Sequence, residues 1–240
     1  MSVKELIKKI LPNFILEFYY NYKIKKKKYF GHHNLDKKLL KYLDYKDGSY
    51  VELGANDGVN QSNTYFFEKN LDWKGVLVEP IEKNFLKCKK NRSIKNFFSN
   101  KACVGFNYKS DKIKIIYSDL MSSLDDKNIV QDIDPVKHTN SGKIYLRSNE
   151  TVKEYYVETT TLTNILEESN LSNKIDLLSL DVEGAEIEVL NGFDFKKYKF
   201  RYILIESRDD EKITKYLNDF NYKLLEKISK RDLFFKHNDF

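Results

Sequence analysis

The short apolar run Tyr50-Val51-Glu52-Leu53 stops abruptly at Gly54-Ala55-Asn56-Asp57-Gly58, and this strand running into a glycine turn constrains the chain more than any other feature. Residues Ser62 to Leu71 suit a helix behind the turn, and Gly75-Val76-Leu77-Val78-Glu79 suits a second strand. A helix through Phe85-Leu86-Lys87-Cys88 and a third strand from about Asn96 to Val104 complete a βαβαβ order. Parallel strands need crossover connections, so this order predicts a mostly parallel sheet with helices against it.

Residues 105–158 break the rhythm. Lys112-Ile113-Lys114-Ile115-Ile116-Tyr117 and Glu154-Tyr155-Tyr156-Val157 alternate as strands do, while the polar stretch between them carries Pro135, His138 and Gly142. The segment is expected to lie over the sheet as an insertion that recognises substrate. The alternation then resumes with a helix from about Thr163 to Ser169, a strand from Ile175 to Asp181, a helix from Ala185 to Asn191 and a strand from Tyr202 to Glu206. Tyr222-Lys223-Leu224-Leu225 and Asp232-Leu233-Phe234-Phe235 flank a polar turn and predict a closing antiparallel hairpin. The expected division is a leader over 1–46 and one α/β domain over 47–240, a size that suits a single full core.

Charge separates these two parts. Residues 1–46 hold 12 Lys and 4 Asp or Glu, net +8, which leaves the remainder at net −2. A nucleic-acid enzyme would carry positive charge around its catalytic face, so this distribution argues against that class. In the leader, Val3, Leu6, Ile7, Ile10, Phe14, Phe18 and Tyr22 recur at helical spacing and predict an amphipathic helix. Its apolar face suits a brace packed on the domain or on a second copy of the chain. With the run Lys25–Lys28 it suits a membrane surface instead. Leu35, Leu39, Leu40 and Leu43 predict a second helix.

Cys88 and Cys103 show no metal-ligand or redox spacing and are expected as reduced core residues. No apolar run approaches the roughly 20 residues that span a bilayer, and Glu5 and Pro12 interrupt the start where a signal peptide would be apolar. The expected setting is cytoplasmic, at the inner face of a membrane if the leader attaches there.

The segment Glu52 to Gly58 resembles the cofactor motif of class I methyltransferases. A glycine turn lets the backbone approach the methionine portion of S-adenosylmethionine, and a nearby carboxylate favours its ammonium and sulfonium charges. A nicotinamide enzyme would show GxGxxG, which is absent here. Glu79 ends the second strand, where Rossmann-like sheets place a ribose ligand, and Pro80 stops the strand. After the fourth strand comes Leu180-Asp181-Val182-Glu183-Gly184-Ala185-Glu186. Together with the glycine turn, Ser62-Asn63-Thr64, Trp73-Lys74-Gly75-Val76-Leu77-Val78-Glu79-Pro80 and Arg231-Asp232-Leu233-Phe234-Phe235, it resembles the FkbM methyltransferase family over roughly residues 49–237. The resemblance implies a class I methyltransferase fold, a Rossmann-like three-layer sandwich with N-terminal helices. It also implies S-adenosylmethionine as cofactor and O-methylation of a sugar or glycan-precursor hydroxyl. The alternatives are a same-fold methyltransferase of another small molecule or a peptide, or a non-catalytic module that binds partners through its leader.

The expected cofactor contacts are Glu52, Gly54, Ala55, Asn56, Asp57, Gly58, Glu79, Pro80 and Asp181. An alcohol is a poor nucleophile at neutral pH, so the acceptor needs a carboxylate base or a metal that acidifies it. Asp181, Glu183 and Glu206 converge at the carboxyl edge of the expected sheet as catalytic candidates, with Asp181 and Glu206 as ligands for Mg²⁺ or Mn²⁺. Their plainer roles would be a helix cap for Asp181 or Glu183 and an ion pair for Glu206. His138 is either a further base or an exposed loop residue, and Ser122 and Ser123 are weaker candidates to reach the cofactor from the insertion.

Overall fold

The computed structural model describes Ile15, Tyr22 and residues 26–130, 132–146 and 150–240. The expected leader helix through Val3 and Phe18 lies outside the described residues.

In chain order the described elements are α1 (Leu35–Leu43), β1 (Ser49–Leu53), α2 (Tyr65–Leu71), β2 (Lys74–Val78), α3 (Glu82–Asn91), β3 (Phe97–Ser99) and β4 (Ala102–Cys103). Then follow β5 (Lys112–Tyr117), β6 (Ser123–Leu124), α4 (Pro135–Ser141), β7 (Lys153–Thr160), α5 (Leu162–Ser169) and β8 (Lys174–Leu180). The chain ends with α6 (Glu186–Asn191), β9 (Lys199–Glu206), α7 (Asp210–Asn218), β10 (Tyr222–Lys227) and β11 (Asp232–His237).

Seven strands form the central sheet in the order β3-β2-β1-β8-β9-β11-β10. The first five are parallel; β11 runs antiparallel to β9, and β10 antiparallel to β11. The expected hairpin is present, with β11 inserted between β9 and β10. This is the class I methyltransferase arrangement: a mostly parallel Rossmann-like sheet with helices on both faces, closed by an antiparallel pair. The strand order reverses at β1, which has β2 on one side and β8 on the other. The carboxyl ends of β1, β2 and β8 therefore border the crevice in which such sheets hold ligands.

Strand alternation divides the core in two. Val51 and Leu53 of β1 face a cluster with Leu162, Ile165, Val189, Leu190 and Phe235. Tyr50, one position out of phase, faces the opposite cluster with Phe67, Trp73, Tyr202 and Phe234. The second cluster also receives α1 through fully buried Leu39 and Leu43, which are one turn apart. Each such leucine contributes about 1.5–3 kcal/mol of burial. Helix α1 is thus part of the domain's packing.

The single third strand expected over Asn96 to Val104 is corrected: it is broken at Asn100 and Lys101. β3 pairs with β2, whereas β4 pairs with β7 in a second sheet of order β4-β7-β5-β6. Asn100 fastens the break by donating from Nδ2 to the carbonyls of Glu79 (2.8 Å) and Pro80 (3.0 Å). The apolar alternation is real on both sides of the break. Alternation marks a strand but does not choose its sheet. The insertion supplies most of the second sheet, whose core includes Ile113, Ile115, Tyr117 and Leu124 and packs on Ile81 and Ala185 at the rim of the crevice. Among the described residues no helix is long and apolar enough to cross a membrane.

Candidate active site

A cavity of about 970 Å³, including its open mouth, lies at the carboxyl ends of β1, β2 and β8 beneath the second sheet. Of the residues singled out from the sequence, Gly54, Ala55, Asn56, Glu79, Pro80, Asp181 and Glu183 line it. Asn60, Gln61, Lys101, Asp119 and Ser122 are also on its wall.

Gly54 has φ +82°, and a Cβ there would meet the Asp181 carbonyl oxygen at 2.0 Å. The glycine is needed to bring the β1 turn against the end of β8, which seats the cavity floor. Gly58 (φ +81°) serves a different purpose. Its missing Cβ makes room for Arg92 Cγ at 2.8 Å and Cys88 Sγ at 2.9 Å, so it packs α3 and stands behind the wall. Asp57 also stands behind it, with Oδ1 accepting from the N–H groups of Val59 and Asn60.

Glu52 is the third of the expected contacts to stand behind the wall. It follows Tyr50 by two positions on β1, and so shares its face of the sheet. There its carboxylate accepts from Ser62 Oγ (2.9 Å), Asn63 N (2.9 Å) and Thr64 Oγ1 (2.7 Å) and pairs with Arg92 (3.2 Å). These bonds secure the loop between Gly58 and α2, so Glu52 shapes the cavity from behind.

Glu79 is on the wall, and its two oxygens accept from Asn56 N (2.9 Å) and Ile81 N (2.8 Å). Burial pushes its carboxyl up to about 7, against those N–H bonds and with help from Asp119 and Asp57. Asn56 also reaches Asp119, donating from Nδ2 to Oδ1 at 3.3 Å. Asp119 has φ +53° and is held above the ordinary carboxyl range by burial. Sequence periodicity missed Asp119 because it sits in a short turn between β5 and β6. The adjacent Ser122 and Ser123 were the nearest signal. Ser122 Oγ donates to the Asp119 carbonyl (2.8 Å), and Ser123 Oγ donates to the Glu183 carbonyl (3.1 Å).

At the end of β8, oxygens of Asp181, Glu183 and Glu206 come within 4.8 Å of one another. Neither Asp181 nor Glu183 caps α6, whose N-terminus has no side-chain cap; Glu186 Oε1 instead accepts from Val182 N and Gly184 N at 3.1 Å each and fastens the loop between β8 and α6. Asp181 is exposed to the cavity, and the protein packed around the opening, with the Glu206 and Glu183 charges, raises its carboxyl above the ordinary value. Glu183 (φ +55°) accepts from Arg208 Nη2 at 2.6 Å and has His138 Nε2 at 2.8 Å. His138 comes from α4 of the insertion with its side chain only 8% exposed, so it is a buried partner of the cluster and not an exposed loop residue. Glu206 is raised by burial and by Glu183, against Arg208 at 3.3 Å and Arg231 at 3.5 Å. It lies off the first cavity and lines a second one of about 630 Å³, with Arg208, Lys212, Asn128, Asn191 and Glu188.

The chain matches the family model described as "Methyltransferase FkbM domain" over residues 52–224. No curated protein matches it. Among solved structures it is similar to precorrin-6y C5,15-methyltransferase from Geobacter metallireducens GS-15, with 8% identity over 83% of this chain and 84% of that one and a TM-score of 0.39.

Proposed function

Because the chain belongs to the FkbM methyltransferase family and is a methyltransferase, we propose that it uses S-adenosylmethionine to methylate a hydroxyl of a sugar or glycan precursor. The observation that carries this reading is the position of Asp181: a carboxylate at the end of β8, open to the cavity beside the Gly54 turn and grouped with Glu183 and Glu206. The cavity fits the cofactor. Its floor excludes a Cβ at Gly54, and Glu79 stands where ribose hydroxyls would donate. The bound cofactor supplies a methyl group already activated by a sulfonium.

The residues of this chain then have distinct tasks. Asn56 and Ile81 fix the Glu79 carboxylate to receive the ribose, and the Gly54 turn sets the depth of the floor beside Asp181. Asp181, on the cavity wall, would take the acceptor's hydroxyl proton when the oxygen receives the methyl group that the cofactor would supply. A base is most effective when its proton affinity is near the working pH, which an upward shift of Asp181 favours. The second cavity, bordered by Glu206, offers both donors and acceptors, which suits a polyhydroxyl acceptor.

A second reading is favoured by the grouping of three carboxylates. Oxygen donors suit Mg²⁺ or Mn²⁺, and Asp181 and Glu206, with Glu183, would hold such an ion, which would acidify the acceptor hydroxyl. Arg208 and Arg231 already offset part of the negative charge. We propose that the basic segment before Tyr29 serves attachment, either at an anionic membrane surface or to a second copy.

Labelled S-adenosylmethionine incubated with free sugars, methyl glycosides and nucleotide sugars should yield an O-methylated sugar by mass spectrometry. Methyl transfer to peptide or to non-sugar small molecules alone would overturn the sugar assignment, and cofactor binding with no transfer to any acceptor would favour the non-catalytic module. Treatment with a chelator separates the two proton schemes: loss restored by Mg²⁺ or Mn²⁺ supports the ion, and indifference supports Asp181 as base.

A further inference from the structure

The wall of the first cavity at Asn60, Gln61 and Ser62, held from one side by Asp57 and Glu52, meets a second support at Gln61. Gln61 has φ +63°, a left-handed conformation unfavourable for a residue with a Cβ, and it forms a parallel bridge with Gly31 from the chain before the domain. That segment is fastened on both sides of the bridge. Tyr29 stacks on Phe66 at 5.1 Å, and Phe30 meets Tyr65 edge-on at 4.7 Å, which ties the segment to α2. Fully buried Asp36 accepts from Phe30 N (2.5 Å) through Oδ2 and from Lys37 N (2.9 Å) through Oδ1, folding the segment back on the start of α1. Between these fastenings His33 (φ +50°) and Asn34 (φ +57°) are consecutive left-handed residues. A Cβ on Gly31 would meet Asn63 Oδ1 at 2.8 Å and Asp36 N at 2.9 Å, so the strap touches the wall as closely as backbone permits.

The proposed roles of the other walls bear on what this one faces. With Glu79 on the ribose side and Asp181 on the methyl-transfer side, as in the proposed function, the amino-acid tail of the cofactor falls to the Asn60–Ser62 side. A glutamine amide both donates and accepts, and so complements the carboxylate and ammonium of that tail. We propose that residues 29–36 are a strap that belongs to the cofactor site, holding Gln61 against the methionine end of S-adenosylmethionine. This rests on the proposed use of that cofactor. Gly31 is a positioning residue in this scheme, acting through Gln61.

The test uses the full chain, with S-adenosylhomocysteine and 5′-methylthioadenosine, which lacks the amino-acid tail, as calorimetric probes. Gly31→Val should lower affinity for S-adenosylhomocysteine at least about tenfold, the scale of hydrogen bonds to charged groups, and leave 5′-methylthioadenosine binding unchanged. If that variant does not fold, Gln61→Ala should give the same selective loss. Unchanged affinity for both probes, or equal loss for both, overturns the strap's role at the methionine end. A wild-type chain that binds neither S-adenosylmethionine nor these probes overturns the proposed function as well.

Discussion

Two arginines of this protein each sit between two glutamates, and their surroundings differ. Arg92 is fully buried and donates from Nε to Glu68 (2.8 Å), from Nη1 to Glu52, Ser62 Oγ and the Gly58 carbonyl, and from Nη2 to Tyr50 Oη (2.7 Å) and Thr64 Oγ1 (2.8 Å). Burial alone would raise the Glu68 carboxyl, but Arg92 and the Tyr50 hydroxyl outweigh it and hold the group below its ordinary value. Arg208 contacts Glu183 and Glu206 through Nη2 alone, its buried Nε finds no partner among the described residues, and both Glu206 and Asp181 beside it are shifted upward. A saturated network fixes a shape. A carboxylate-rich group with too few cations retains affinity for a proton or an ion, and that serves catalysis.

The largest effect that would break this contrast is on the scaffold side. Arg92→Met removes one partner of a buried network and leaves Glu52 and Glu68 without their cation, so unfolding should become easier by about 3–5 kcal/mol in denaturant titration. A loss below about 1 kcal/mol, the range of surface pairs, would deny the network its structural role. Next in size, Asp181→Asn should lower methyl transfer at least roughly 100-fold and change cofactor affinity little, because only proton transfer or ion binding is removed. Near-normal turnover would return Asp181 to a structural part. Glu79→Ala should weaken cofactor binding by about tenfold in calorimetry, the loss of a charged acceptor for a ribose hydroxyl.

The smallest effect is in pH dependence. Glu79 and Glu186 rise from 4.5 to about 7 on folding, so the native state binds the extra protons. Their stabilising contribution is complete below pH 4.5 and is lost as pH rises through about 7. The melting temperature of the ligand-free protein should decline across that window from these groups, and Glu79→Gln should remove only the Glu79 share. Cofactor affinity should rise severalfold over the upper part of the same window, since an ionised carboxylate is the better acceptor. Affinity independent of pH would remove Glu79 from the ribose.

Much of the molecule was legible from local pattern. The β1 run and its glycine turn, the strand end at Glu79 and the grouping of Asp181, Glu183 and Glu206 follow from strand alternation and from the rule that parallel sheets gather ligands at their carboxyl edge. Other features were not legible. Asp119 lies in a turn of the insertion where no periodicity marks it, and His138, a candidate by residue type alone, could not be told from an exposed loop residue until the insertion packed it against Glu183. The contiguous motif from Glu52 to Gly58 reads as one binding surface, yet its members divide between wall and scaffold.

By itself, then, the sequence determined the α/β class, the place of the crevice and the identity of the carboxylates beside it, because those depend on spacings of a few residues that hydrophobic burial converts directly into strands and helices. Only the tertiary structure decided that the third strand is shared between two sheets, that Glu52 belongs to Arg92, that Glu186 fastens the loop after Asp181, and that Gly31 pairs with Gln61. Most of these pairings join residues tens of positions apart, and all of them involve polar groups or register choices that local pattern leaves degenerate. They are settled when buried donors and acceptors must find partners in the packed chain.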